Sequence, residues 1–191
     1  MSSVLLVCKQ NDVIKGLAEI VRPMNFQLID SATSAGEGRR RLLEVDYDLV
    51  IVNTPLGDEF GVDFAIDTLE KFSVGMILIV KSELVDHVEE KLIDTTAFVV
   101  SKPLNRQLLV QNVRFVLQSR EKIQRLENKN SELREKIDDM AAVYRGKLCL
   151  MGYLDMSEAD AHRYIQKKAM DTRQSPRKVA EQIIKTYDKK K

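Results

Sequence analysis

Cysteine is scarce in this chain of 191 residues: only Cys8 and Cys149 occur, far apart and without the paired spacing of a metal site or disulfide framework. Both read as reduced, mostly buried thiols of a reducing compartment. Histidine is equally rare, limited to His87 and His162, and no glycine-rich phosphate loop is present. His87 lies among Asp86, Glu89 and Glu90 and reads as a surface residue. These absences leave no catalytic constellation, so the expectation is a protein that is not an enzyme and takes no cofactor and no metal. Long apolar runs are missing too: no stretch of about 18 uncharged residues could cross a bilayer. The segment Met1–Cys8 has no basic leader and is too short for a secretory core, which makes a cytoplasmic location the expectation.

What is present is an ordinary apolar fraction, 44%, enough for a folded core, and a length that suits one ordinary domain plus a small second one. The net charge of +1 hides an asymmetry. Residues 1–104 carry 10 Lys/Arg against 17 Asp/Glu, whereas residues 105–191 carry 20 against 12. A basic end of this kind meets a polyanion, or the acidic half, or both.

In residues 1–104 the runs Val4–Val7, Phe26–Ile29, Leu49–Val52, Met76–Val80 and Phe98–Val100 are continuous and apolar, as parallel strands covered on both faces should be. Helical patterns separate them near residues 12–22, 34–45, 61–71 and 83–94. This alternation predicts an α/β doubly wound parallel sheet, with chemistry gathered at the strand carboxyl ends. Those ends are Cys8-Lys9, Asn53-Thr54, Val80-Lys81 and Lys102-Pro103.

The five-fold strand–helix pattern, the segment Tyr47–Leu56 and the late Lys102-Pro103 resemble a bacterial response-regulator receiver domain. The resemblance implies an acidic metal-binding pair after the first strand, an acceptor Asp ending the third, a hydroxyl residue ending the fourth and a Lys-Pro after the fifth. Only Lys102 matches. Cys8 and Lys9 stand where the acidic pair belongs, Asn53 replaces the acceptor, and Lys81 follows Val80 where the hydroxyl belongs. An amide is not a usable nucleophile for an acyl phosphate, and Mg²⁺ wants hard anionic oxygens rather than a thiol, an ammonium and an amide. Asp12, the nearest carboxylate along the loop, reads as a helix-opening residue. The expectation is a pseudo-receiver. In it Asn53 and Lys102 hydrogen-bond across an inert cleft, or Lys9, Asn53 and Lys102 lock one conformation or accept an anion or a partner's carboxylate.

After Lys102-Pro103 no glycine or proline occurs until Gly146, about forty residues on. Within residues 105–144, Ile123, Leu126, Asn130, Leu133, Ile137 and Met140 alternate by steps of three and four, with Tyr144 next. With Ile123 at heptad position a, Leu126, Leu133 and Met140 fall at d and Asn130 at a. A single Asn at a sets register in parallel two-stranded coiled coils, because only its twin satisfies the buried amide. The expectation is a parallel homodimer through these residues; the alternative is a helix folded back on its own receiver.

Residues 145–191 predict a three-helix module: the end of the long helix through Met151, a turn at Gly152 to Met156, a helix from Ser157 to Arg173, and another opened by Ser175-Pro176. Ala161, Ile165, Ala169 and Thr172 share one face of the second helix, while Val179, Ala180, Ile183, Ile184 and Tyr187 are the apolar set of the third. The succession Arg145–Met151, Met156–Ala161, Lys168-Ala169-Met170 and Val179-Ala180 resembles the ANTAR module of bacterial transcription antitermination regulators, over about residues 140–187. That resemblance implies binding of one or two RNA hairpins in a leader transcript, so that a terminator cannot form. The expected contacts are Arg145, Lys147, Arg163, Lys167, Arg173 and Lys178, with His162 and Gln166 as base readers. Residues 141–191 carry 12 Lys/Arg against 6 Asp/Glu, which suits phosphate contacts. A sensor protein or small ligand acting on the receiver, or abundance alone, would then provide control. The rival readings are a DNA-binding response regulator with a helix-turn-helix end, and an adaptor whose basic end sequesters an acidic protein.

Overall fold

The protein is described here by a computed structural model covering residues 2–188. It forms two compact units that divide between Gln124 and Arg125.

In the first unit, β1 (Ser3–Cys8), α1 (Asn11–Val21), β2 (Leu28–Ala32), α2 (Ala35–Glu44), β3 (Leu49–Asn53), α3 (Val62–Lys71), β4 (Gly75–Lys81), α4 (Val85–Lys91) and β5 (Ala97–Lys102) alternate as the sequence predicts. The strands form one parallel sheet in the order β2-β1-β3-β4-β5. Because successive strand residues face opposite ways, β1 sends Leu5 and Val7 into the core under α2, α3 and α4. Val4 and Leu6 enter the other core, under α1 and the first turns of the next helix, α5 (Arg106–Leu154). β1, β3 and β4 are buried apart from Ser3, Asn53 and Lys81 at their ends, which is why they read as unbroken apolar runs.

The second strand lies later than expected. Phe26 and Gln27 precede it, and β2 runs from Leu28 to Ala32 through Asp30 and Ser31. It is an edge strand, and Asp30 is occupied by the Tyr47 hydroxyl at 2.8 Å and by Arg41 at 3.5 Å. An edge needs fewer apolar residues than the sheet centre, so its polar half did not register as strand.

Helix starts follow local chemistry. The Ser34 hydroxyl accepts from the Glu37 amide at 3.1 Å, and Glu37 reaches back to the Thr33 amide at 2.8 Å, a reciprocal cap on α2. A second cap comes from another loop: Asp58 accepts from the Ala35 and Gly36 amides at 2.8 and 2.9 Å. At α5, the Asn105 side chain accepts from the Gln107 and Leu108 amides. Leu109, Val113 and Val116 of α5 are buried on the sheet, and a Cβ on Gly75 would lie 2.7 Å from the Val116 Cγ1. Arg120 then meets Asp48 at 2.6 Å and the Ser73 carbonyl at 2.9 Å. The opening turns of α5 therefore pack on the receiver-like unit, and the helix continues unbroken for 49 residues.

In the second unit the last part of α5, α6 (Glu158–Thr172) and α7 (Pro176–Asp188) surround a core of Leu150, Ala161, Ile165, Ala169, Val179 and Ile183. Gly152 does not open a turn as expected; it lies within α5, which ends at Leu154 before Asp155 adopts a left-handed φ of 53°. Thr172, expected on the core face of α6, is exposed. Ser157 caps α6 by accepting from the Asp160 amide at 3.1 Å, and the Ser175 hydroxyl accepts from the Lys178 amide at 3.3 Å. Lys189, Lys190 and Lys191 lie outside the described residues.

Candidate functional sites

At the carboxyl edge of the sheet, Cys8 and Asn53 are register neighbours on β1 and β3, and Lys81 and Lys102 on β4 and β5. The Asn53 amide donates to the Cys8 sulfur at 3.2 Å rather than reaching Lys102. The half-buried Lys102 ammonium donates instead to the Thr54 carbonyl at 2.6 Å. Burial holds that ammonium below the ordinary lysine range; Cys8 opposes the shift electrostatically and the Lys81 ammonium adds to it. Lys81 itself is exposed and pairs with Glu83 at 3.5 Å, and Lys9 is exposed. Asp12, nearly fully exposed, pairs with Lys15 at 3.8 Å. Among the described residues no cluster of three His, Cys, Asp or Glu side chains could hold a metal ion. The groups that meet at this edge are a thiol, an amide and ammoniums, none of which is the carboxylate that an acyl phosphate requires.

Along α5 the heptad residues are solvent-facing: Ile123 is 40% exposed, Leu133 51% and Met140 72%, with Leu126, Ile137 and Asn130 also exposed. Tyr144 and Leu148 continue the same stripe. Further along α5, Ala142, Gly146 and Leu150 are buried on the opposite side.

The cationic candidates of the second unit divide into two groups. Lys147 is tied down: its side chain is only 15% exposed, meets Glu158 at 2.6 Å and lies over the Tyr144 ring. That ion pair holds the Glu158 carboxyl below its usual range, hydrogen bond first and charge second. Lys147 therefore joins α5 to the start of α6. Arg145, Arg163, Lys167, Arg173 and Lys178 are exposed, Arg163 meeting Asp160 at 3.1 Å on the surface. His162 is exposed and Gln166 half-buried.

Two features were not singled out from sequence. Arg177 bridges Asp139 of α5 and Glu181 of its own helix, at 3.1 and 2.9 Å, so this arginine is structural. Its partners are distant in sequence or one turn on, and the i,i+4 Arg177–Glu181 spacing was the one available signal. The second is Gly146, where an added Cβ would lie 2.8 Å from the Ala180 Cβ. The glycine permits close approach of α5 and α7, which explains why a small residue stands between Arg145 and Lys147.

No helix among the described residues is long and apolar enough to cross a membrane. Residues 131–184 match the family model of the ANTAR domain. The transcriptional regulatory protein PdtaR of Mycobacterium tuberculosis, from strains CDC 1551 / Oshkosh and H37Rv, is 26% identical over 186 residues, spanning 95% of this chain and 89% of that protein. Among solved structures, the signal receiver domain of an HD domain-containing protein from Pseudomonas fluorescens Pf-5 aligns with a TM-score of 0.58 at 22% identity, covering 65% of this chain and 92% of that one. The response regulator TrrA from Thermotoga maritima, in complex with Mg(2+)-BeF, aligns with a TM-score of 0.54 at 21% identity, covering 61% and 99%. The structural likenesses establish the receiver fold of the first unit.

Proposed function

We infer the role of this chain from its make-up as an ANTAR-type response regulator, a receiver fold followed by an ANTAR domain in a regulator of the antitermination family. It acts without catalysis, binding hairpin RNA in leader transcripts through α5, α6 and α7 and so preventing a terminator from forming. The observation that carries this reading is the set of exposed cations Arg145, Arg163, Lys167, Arg173 and Lys178 on one small three-helix unit. Phosphates attract such a surface irrespective of sequence, while loop bases supply specificity. Lys147, the sixth expected contact, is held by Glu158 and also fixes α5 to the start of α6.

Two chains pair in parallel through Ile123, Leu126, Asn130, Leu133, Ile137 and Met140. The support is that five large apolar residues at heptad spacing are left in water by a single chain. Pairing presents two RNA-binding units together. The receiver is a pseudo-receiver, supported by Asn53 at the acceptor position and its bond to Cys8. Control then comes from a sensor protein, a small ligand or the amount of protein made, in the cytoplasm.

Filter binding of full-length protein to hairpin RNA and to duplex DNA at matched salt tests the reading. Preferential retention of the hairpin is expected; preferential retention of the duplex, or of neither, contradicts it. Incubation with a small-molecule phosphodonor and Mg²⁺ should leave the protein unmodified, and a phosphorylated product would refute the pseudo-receiver assignment.

A further inference from the structure

The receiver-like unit carries a cleft at the edge of its sheet opposite Cys8 and Asn53, where β3 and β4 begin. It holds about 370 Å³ and is lined on its apolar side by the buried Leu42 and Tyr47 and the half-buried Val45 and Phe72. A hollow of this size, with mostly apolar walls and a few polar groups, is the ordinary form of a small-molecule site. Three charged side chains complete the lining: Lys71 and Asp46, both exposed, and Arg120 of α5, whose side chain is 27% exposed. Their sum is one positive charge, in a part of the chain that is acidic as a whole. That charge acts most strongly at Arg120, the one drawn furthest out of water.

Arg120 also holds the foot of α5. Its Nη1 donates to Asp48 at 2.6 Å and its Nε to the Ser73 carbonyl at 2.9 Å. Asp48 is fixed in turn by the Ser3 amide and hydroxyl at 2.8 and 3.2 Å, and the Ser73 hydroxyl donates to Gln124 at 2.9 Å. A guanidinium carries donors on Nη2 as well, and these are left for a further acceptor. An anion in the cleft therefore meets the same group that ties α5 to the loops before β3 and β4.

We propose that this cleft is an input site of the receiver-like unit and takes a small amphipathic monocarboxylate. Its aromatic or branched aliphatic body lies on Leu42, Val45 and Phe72, and its carboxylate lies on Arg120 and Lys71. This rests on the reading of the unit as one controlled without phosphorylation, and gives that control a place and a ligand class. Burial of the body supplies affinity, while the cations reject neutral and cationic analogues. Arginine suits a carboxylate because its planar fork grips both oxygens. That grip needs a second nitrogen besides Nη2, so the ligand competes with Asp48 or with the Ser73 carbonyl. Occupancy is then registered at Gln124, the last residue of the first unit.

The test titrates full-length, isotope-labelled protein and follows its amide NMR spectrum. Phenylacetate and isovalerate are the probes, with phenylacetamide and phenethylamine as the neutral and cationic controls. Both acids should shift the Val45, Phe72, Ser73 and Gln124 signals saturably, with a Kd of about a millimolar or tighter, and the controls should bind about ten-fold or more weakly. Arg120→Lys keeps the charge but not the fork, and should cut the preference for acid over amide to about two-fold or less. Lys71→Glu lies at an exposed position where folding is not at stake, and should weaken the acids about three-fold or more. The site is overturned if neither acid shifts these signals up to about 10 mM, if the amide matches the acid, or if both variants bind the acids as the parent does. A phosphodonor that modifies the protein would defeat the reading on which the site rests without altering these titrations, so the two failures are separate results.

Discussion

At the scale of the residue, two side-chain positions carry more than their size suggests. Gly146 sits where α5 and α7 approach closely, with the Ala180 Cβ 2.8 Å from the Cβ that it lacks. Gly146→Ala would ordinarily favour a helix, but here the overpacking should win and destabilise the second unit by about 1–3 kcal/mol. Denaturant unfolding followed by circular dichroism measures this, and a more stable variant would contradict the close approach. Asp58, in the first unit, caps α2 from another loop. The Gly36 and Ala35 amides hold its carboxyl below the ordinary aspartate range. Because the folded pKa is depressed, the cap contributes fully above the ordinary pKa of an unfolded Asp and is lost as pH falls through the folded value. Asp58→Ala should therefore cost about 1 kcal/mol at neutral pH, less in high salt because the group is exposed, and nothing once parent Asp58 is protonated. Parallel melts from neutral to acid pH would show the two proteins converging.

At the scale of the element, the sequence was legible where burial is uniform and opaque where it is not. The strands β1, β3 and β4 declared themselves because every side chain in their centres meets protein. β2 slipped because an edge strand tolerates Asp30 and Ser31. Gly152 misled for a different reason: nothing lies within 4 Å of the Cβ it lacks, so a helix accepts it there with only a propensity cost. Caps were readable as spacings, Ser157 with Asp160 and Ser175 before Pro176, since both sides of each bond are local. The Lys147–Glu158 pair was not legible, because Glu158 sits across a turn whose geometry no spacing reveals. The stripe along α5 was visible as a heptad, and its exposure leaves a prediction. Asn130→Leu removes the one polar register device, so the variant should melt higher and add species above the dimer in sedimentation velocity. A parent protein that sediments as a monomer at micromolar concentration would contradict the pairing.

At the scale of the whole molecule, charge is segregated along the chain, acidic before residue 105 and basic after it. The edge of the sheet where a receiver would hold a phosphoryl group carries Cys8, Asn53 and two lysines. On the proposed function, the molecule presents the exposed cations of its second unit to a folded transcript. The most direct measurement is the affinity of full-length protein for a selected hairpin across a salt series. Five exposed cations per chain predict that affinity falls roughly a hundred-fold or more between about 50 and 200 mM salt. Absence of binding at the lowest salt, or an affinity indifferent to salt, would contradict the account.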